Sequence, residues 1–192
     1  MGTHDDKVET GDHGGYALTW GGDDTIDGGA GTDYLYGGDH DDTIDGAGAN
    51  DYIYGESGED VIFGGEGNDV IHGGNHADAI IGDCDGCAAG NDTIYGDDGD
   101  DRIKGWAGDD IIYGGGDDDQ ICGGDDEDSL YGNDDNDCLC GGDLIDNSDD
   151  DPDVMDGNLG TDVIYWWQAE GDSQDHATTV YNSETCACDC AA

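Results

Sequence analysis

Apolar residues recur along this chain at a fixed spacing of nine residues, each between two further residues that suit a strand. One unit, residues 64–72, reads Gly-Gly-Glu-Gly-Asn-Asp-Val-Ile-His. Seven such units run in phase over 19–81, six over 87–140 and two over 148–165, separated by insertions at 82–86 and 141–147. Neighbouring side chains of a strand point to opposite faces, so the last three residues of each unit predict a short strand whose central residue faces a core.

Two positions of the unit are nearly invariant, and their regularity argues against disorder. The eighth position is aliphatic or Met in every unit: Ile26, Leu35, Ile44, Ile53, Ile62, Ile71, Ile80, Ile94, Ile103, Ile112, Ile121, Leu130, Leu139, Met155 and Ile164. The sixth is always Asp: Asp24, Asp33, Asp42, Asp51, Asp60, Asp69, Asp78, Asp92, Asp101, Asp110, Asp119, Asp128, Asp137, Asp153 and Asp162. A disordered tract has no reason to keep an apolar residue in step with a carboxylate.

The charge of the chain indicates what it can bind. It contains 51 Asp and Glu against 3 Lys and Arg, for a formal net charge of −48. Such a surface repels polyphosphate, which argues against a nucleic-acid partner, whereas hard cations such as Ca²⁺ take oxygen ligands. No apolar run reaches the length of a membrane span, and residues 1–15 lack the pattern of a secretory signal peptide. We therefore expect a mature product, a fragment, or a protein exported without a cleaved N-terminal signal.

The unit G-G-x-G-x-D-x-U-x, in which U is a large aliphatic residue, resembles the RTX or haemolysin-type calcium-binding repeat family. The resemblance covers about three quarters of the chain and implies an all-β fold, a right-handed parallel β-roll (two-sheet β-solenoid) of about 15 repeats. In that family six residues form a turn and three form a strand, with Ca²⁺ between stacked turns. We expect the roll over 19–165, an N-terminal cap over 1–18, and a C-terminal cap with a Cys-rich tail over 166–192.

The resemblance also implies the metal ligands, namely the sixth-position Asp residues given above. Stacked units would place these carboxylates at strand spacing, and two charges about 5 Å apart repel by about 3 kcal/mol at an effective dielectric of 20. Calcium must bridge them, so we expect folding and the binding of up to about 13 Ca²⁺ ions to be one event. At the fourth position Gly is replaced by His40, Ala49, His76, Asp117, Asp126, Asp135 and Asp151, which should weaken sites without abolishing them.

Outward-facing tyrosines are predicted to gather on one of the two sheets: Tyr34, Tyr36, Tyr52, Tyr54, Tyr95, Tyr113 and Tyr131. The opposite sheet would show Asp27, Asp45, Phe63, Ile81, Lys104, Cys122 and Cys140. The tyrosines could be ordinary strand-surface residues. Alternatively, they form a contact surface for another protein, a second copy of the chain or a surface glycan.

The eight cysteines favour disulfides and an extracellular location. Cys122 and Cys140 occupy the same position in units two apart, so we predict that they pair. A zinc site at Cys84-x-x-Cys87 is less favoured because it would need two further ligands.

No H-E-x-x-H or G-x-S-x-G motif is present, and we expect no enzyme activity. The sequence predicts a calcium-dependent extracellular structural or adhesive module that associates with itself, in filaments for example, or with a surface. One alternative is a C-terminal RTX fragment that assists secretion and folding of a larger secreted enzyme or toxin. An ice-binding solenoid is disfavoured, because the turns lack regular Thr and Asn arrays.

Overall fold

The computed structural model describes residues 4–84, 86, 88–142 and 153–165, and these residues form 17 short strands in two parallel sheets. Sheet A contains β1 (Lys7–Glu9), β3 (Thr25–Asp27), β5 (Thr43–Asp45), β7 (Val61–Phe63), β9 (Ala79–Ile81), β11 (Arg102–Ala107), β13 (Gln120–Asp125), β15 (Cys138–Gly142) and β17 (Val163–Tyr165). Sheet B contains β2 (Tyr16–Leu18), β4 (Tyr34–Asp39), β6 (Tyr52–Ser57), β8 (Val70–Asn75), β10 (Thr93–Asp98), β12 (Ile111–Gly116), β14 (Ser129–Asp134) and β16 (Val154–Leu159).

The chain alternates between the sheets, and each strand pairs in parallel with the strand two further along. Eighth-position residues are register partners, for example Ile94 with Ile71 on one side and with Ile112 on the other. Two units therefore make one coil, and the predicted all-β parallel β-roll is confirmed.

The core is a single layer of eighth-position side chains between the sheets. These residues are buried from Ile26 to Leu139, while Met155 and Ile164 pack against the layer and are partly buried. A shift of register by one residue would turn every one of these side chains outward, so the apolar repeat holds the sheets in register.

The segment expected as an N-terminal cap also contributes strands. β1 and β2 extend the two sheets and place Val8 and Ala17 in the core layer. Residues 1–9 and 10–18 are two further units in phase with the later ones, but the unit 10–18 has Gly15 at the sixth position, where the others have Asp. The expected C-terminal cap and Cys-rich tail, residues 166–192, lie outside the described residues.

The turns require left-handed backbone at two positions. At the fourth position φ is positive for His40, Ala49, His76, Asp117, Asp126 and Asp135, so these replacements for Gly keep the left-handed turn conformation, while their effect on calcium sites stays a prediction. The second position is left-handed as well in many units, as at Ala47 (φ 70°) and Trp106 (φ 89°), which the sequence did not predict. Asp151 lies outside the described residues. In the part of the chain that is described, no helix is long and apolar enough to cross a membrane.

Candidate metal centre in the stacked turns

The sixth-position Asp residues form two continuous ladders, one on each side of the roll. Ladder A precedes the strands of sheet A and contains Asp6, Asp24, Asp42, Asp60, Asp78, Asp101, Asp119, Asp137 and Asp162. Ladder B precedes the strands of sheet B and contains Asp33, Asp51, Asp69, Asp92, Asp110, Asp128 and Asp153.

Within each ladder, the backbone N–H of one Asp donates to Oδ1 of the Asp one coil further along. The donor–acceptor distances lie between 2.6 and 3.1 Å in both ladders. An ionised Asp side chain offers two acceptor oxygens. One of the two is thus used to hold neighbouring coils together.

The other oxygen is buried and has no hydrogen-bond partner. This holds for Oδ2 of Asp24, Asp33, Asp42, Asp51, Asp60, Asp69, Asp78, Asp92, Asp101, Asp110, Asp119 and Asp137. These side chains are at most 3 % exposed. A buried, charged oxygen without a partner is destabilising, so the repeated unpaired Oδ2 atoms fit ligands of a cation.

In most units from Gly28 to Gly123, a backbone carbonyl oxygen of the next coil and Oδ2 of the unit's own Asp both lie close to the first-position Gly. A Cβ placed on Gly64 would lie 2.6 Å from Asp69 Oδ2 and 2.5 Å from the carbonyl oxygen of Gly82 in the next coil. At Gly73 the corresponding distances are 2.5 Å to Asp78 Oδ2 and 2.7 Å to Gly96 O. Only Gly leaves this space open, and carboxylate and carbonyl oxygens converging on it are ligands that Ca²⁺ prefers.

Burial raises the pKa of ten ladder carboxyls, from Asp42 to Asp137. Neighbouring carboxylates raise the pKa further at most of these, and the ladder hydrogen bonds partly oppose the increase. The pKa rises to about 6 for Asp60 and Asp69, and to about 8 for Asp78, Asp92 and Asp119. It rises to about 7 for a larger group, Asp42, Asp51, Asp101, Asp110 and Asp137. The turns therefore favour neutral carboxyls unless a positive charge is supplied.

Carboxylates alone do not complete a metal site here. Among the described residues, no group of three or more His, Cys, Asp or Glu side chains could hold a metal ion. A cation in the turns would therefore take backbone carbonyls as further ligands, which suits a hard ion with many oxygen ligands and not zinc. Cys87 of the Cys84-x-x-Cys87 motif lies outside the described residues.

The structure brings the predicted Asp residues together and adds two more. Asp24 to Asp137 are buried in the ladders, and Asp153 and Asp162 continue them with partial exposure. Asp6 extends ladder A, and the phase of residues 1–9 was the signal that could have identified it. Asp83, in the first insertion, is also buried, and no repeat position predicted it.

The outer face of sheet B carries two stacks of aromatic rings, here called the tyrosine face. Tyr16, Tyr34 and Tyr52 stack with ring centroids 4.8 Å apart. The second stack has centroid spacings of 4.4 to 5.2 Å and runs through Tyr36, Tyr54, His72, Tyr95, Tyr113 and Tyr131. The predicted gathering of tyrosines on one sheet is confirmed, and their spacing is that of neighbouring strands.

The outer face of sheet A is mixed, as predicted. The ammonium group of Lys104 lies 3.9 Å from the ring centroid of Trp106 on the same strand. Cys122 and Cys140 are register partners on β13 and β15. The predicted disulfide between them is nevertheless wrong: Cys140 Sγ is not bonded to Cys122 and donates to the carbonyl oxygen of Gly142 at 3.4 Å.

Comparison with known proteins assigns these turns to a family. The sequence matches the profile of the RTX calcium-binding nonapeptide repeat in four copies, over residues 21–53, 54–83, 88–121 and 122–147, more than half of the chain. No curated protein and no solved structure matches the chain significantly. The matched segments contain both ladders from Asp24 to Asp137. The chain therefore belongs to the RTX calcium-binding nonapeptide repeat family, whose repeats bind Ca²⁺ and form a β-roll structural module.

Proposed function

We propose that this chain is an extracellular structural module that folds when Ca²⁺ binds between the stacked turns of ladders A and B. The observation that carries the proposal is the row of buried Oδ2 atoms without a hydrogen-bond partner. The ligands are the sixth-position Asp residues with the carbonyl oxygens beside the first-position Gly, and up to about 13 ions are bound.

The extracellular location follows from the affinity that such sites provide. Each site combines few carboxylates with neutral carbonyl oxygens, and sites of this kind bind Ca²⁺ weakly, at the level of extracellular modules. Only outside the cell is calcium abundant enough to keep the roll folded. The eight cysteines are consistent with that compartment.

A calcium titration tests this proposal. Circular dichroism of the intact chain in excess EGTA at about pH 8 should show an expanded coil, because the ladder carboxylates are then charged and unbridged. Addition of CaCl₂ in the millimolar range should produce parallel β-structure cooperatively. A spectrum rich in β-structure in excess chelator would contradict the proposal, as would fewer than about six bound ions at saturation.

The tyrosine face is the surface through which the module associates, with other copies of the chain or with a surface glycan. Tyr16 is 76 % exposed and Tyr52 is 37 % exposed, while the rings of the longer stack cover one another. Stacked phenol rings form a flat strip that combines apolar area with hydroxyl groups and loses little side-chain entropy on binding. The acidic residues elsewhere repel other copies until calcium neutralises the turns.

A matched pair of triple variants tests the role of this face. Tyr54→Ser, Tyr95→Ser and Tyr113→Ser together should preserve calcium-induced folding but abolish association, measured by light scattering and by pull-down on glycan-coated beads. The control replaces ninth-position residues of sheet A, Asp45→Ser, Phe63→Ser and Ile81→Ser, and should associate like the parent. If the tyrosine variant associates like the parent, the stacks are only strand surface.

A further inference from the structure

Asp83 occupies the second position of a turn that the first insertion has enlarged. Gly82 has the surroundings of a first-position Gly. A Cβ placed on it would meet Asp92 Oδ2 and lie 2.7 Å from Gly105 O, as the first-position glycines of other turns would meet an Asp and a carbonyl oxygen. The N–H of Asp83 donates to that same Gly105 oxygen at 3.2 Å, as the second-position N–H of Gly65 donates to Gly82 O at 2.8 Å. Gly82 and Gly90 thus act as the first-position and fourth-position Gly of one turn, with a longer stretch of sequence between them than in the other turns.

The backbone at Asp83 departs from the other turns of this series. The second-position residues Ala47 and Trp106 are left-handed, with φ of 70° and 89°. Asp83 does not have a positive φ, and its side chain is 2 % exposed. At this second position, then, the backbone is not left-handed and a carboxylate is buried in the turn.

The protein satisfies this carboxylate only in part: backbone N–H groups of Gly90 and Ala107 partly oppose the increase in its pKa that burial causes. Oδ2 accepts a hydrogen bond from the N–H of Gly90 at 3.0 Å. Oδ1 is buried without a partner. A Cβ on Gly90 would lie 3.1 Å from Oδ1 and would contact the carbonyl oxygen of Gly67 more closely still, so both oxygens face the same space beside Gly90.

The charge of Asp83 reaches the neighbouring ladder. It is one of the charges that raise the pKa of Asp69, Asp92 and Asp110. The electrostatic potential beside Gly90 is therefore more negative than at the sites made by the repeats alone. A cation bound there would interact with one carboxylate more than a cation in an ordinary turn.

We propose that Asp83 Oδ1 and the carbonyl oxygen of Gly67 are ligands of a separate calcium site, which the insertion adds to the repeat sites and which binds more tightly than they do. The inference rests on the proposed calcium-dependent folding. Affinity of calcium sites increases with the number of charged ligands, so the additional carboxylate strengthens binding by about tenfold or more.

The test compares Asp83→Asn with the control Asp98→Asn in the intact chain. The Asn side chain keeps the shape and the acceptor for Gly90 N–H but loses the charge. Asp98 is exposed at the end of β10, and its substitution changes the net charge equally. Calcium stoichiometry is counted by native mass spectrometry, at a calcium concentration that just saturates the parent, and folding is followed by circular dichroism.

Asp83→Asn should fold at high calcium yet carry one ion fewer than the parent at the test concentration, while Asp98→Asn carries the parental number. Asp83→Ala should behave like Asp83→Asn. A folded Asp83 variant with the parental stoichiometry would overturn the inference, as would failure of both Asp83 variants to fold at any calcium concentration. If the parent itself neither binds calcium nor folds with it, the proposed function fails instead.

Discussion

Protons should substitute for calcium in the ladders, because both neutralise the same buried carboxylates. The pKa of Asp51 and Asp110 in the folded roll is about 7, against an ordinary value of 3.8. A difference of about three pKa units corresponds to about 4 kcal/mol favouring the neutral carboxyl in the folded state. A few such groups, if charged and unbridged, offset the 5–15 kcal/mol that stabilises a typical domain.

The sign of the pH dependence follows from these raised pKa values. Between pH 3.8 and the folded values of about 6 to 8, the folded roll binds more protons than the unfolded chain. The stabilising effect of protonation is therefore complete near the ordinary pKa and is lost as the pH rises through about 6 to 8. Without calcium the roll should consequently be more stable in mild acid than at alkaline pH, and calcium binding near neutral pH should release protons.

The assay uses the chain after calcium has been removed on a chelating resin, with circular dichroism recorded from about pH 8 down to about pH 5.5. The lower limit stays above the pI of about 4.1, where loss of net charge would cause precipitation. β-Structure should increase as the pH falls, with a midpoint near the raised pKa values. In about 1 M NaCl at pH 8 the chain should stay unfolded, because salt screens exposed charges far better than buried ones. A calcium-free spectrum that does not change with pH, or that gains β-structure towards pH 8, would refute the reasoning.

Two further predictions concern the core and the first-position glycines. Ile112→Ala should lower the free energy of unfolding by about 2–5 kcal/mol in urea titrations at saturating calcium, because Ile112 is completely buried. Ile111→Ala, on the exposed face of the same strand, should lower the free energy of unfolding much less. Equal losses for the two variants would contradict a core confined to the eighth position. Gly64→Ala should raise the calcium concentration needed for folding, because the added Cβ would lie 2.5 Å from Gly82 O and 2.6 Å from Asp69 Oδ2. Gly116→Ala is the control, since the nearest atom to its added Cβ is Asp98 Oδ1 at 3.8 Å; identical calcium midpoints for the two variants would show that the first-position space holds no ion.

The fold could be predicted from the sequence because each unit repeats the same constraint. An aliphatic residue at position eight and Asp at position six recur from Thr19 to Tyr165, and the period alone distinguishes a roll from a disordered acidic chain. The first two strands were assigned to a cap, although Asp6 and Val8 mark residues 1–9 as a unit; in residues 10–18 the signal is weaker for a local reason. Gly15 replaces the Asp that marks a unit, although Ala17 still enters the core.

The site was predictable only in part, because sequence identifies side chains but not the direction in which each oxygen points. Recurring Asp residues indicated a ladder, yet nothing in the sequence showed that Oδ1 of Asp69 would accept from Asp51 N–H while its Oδ2 stays without a partner. The burial of Asp83 could not be predicted, since the sequence alone assigns an inserted residue no repeat position, and its second position in the turn is seen only in the structure.

Calcium and the tyrosine face are physically coupled even if no ion lies in the contact. The ring spacing of 5.0 Å between Tyr95 and Tyr113 is set by their register on β10 and β12, and that register requires the coils to stack. On the proposed calcium-dependent folding, the coils stack only when the ladders behind them are neutralised, since Asp92 and Asp110 lie one coil apart, joined by one hydrogen bond. The tyrosine side chains at positions seven and nine lie on the outer face of sheet B, outside the core layer, so they can change without altering the packing between the sheets. A partner that recognises the stacked rings would therefore detect the calcium-bound state of the whole roll.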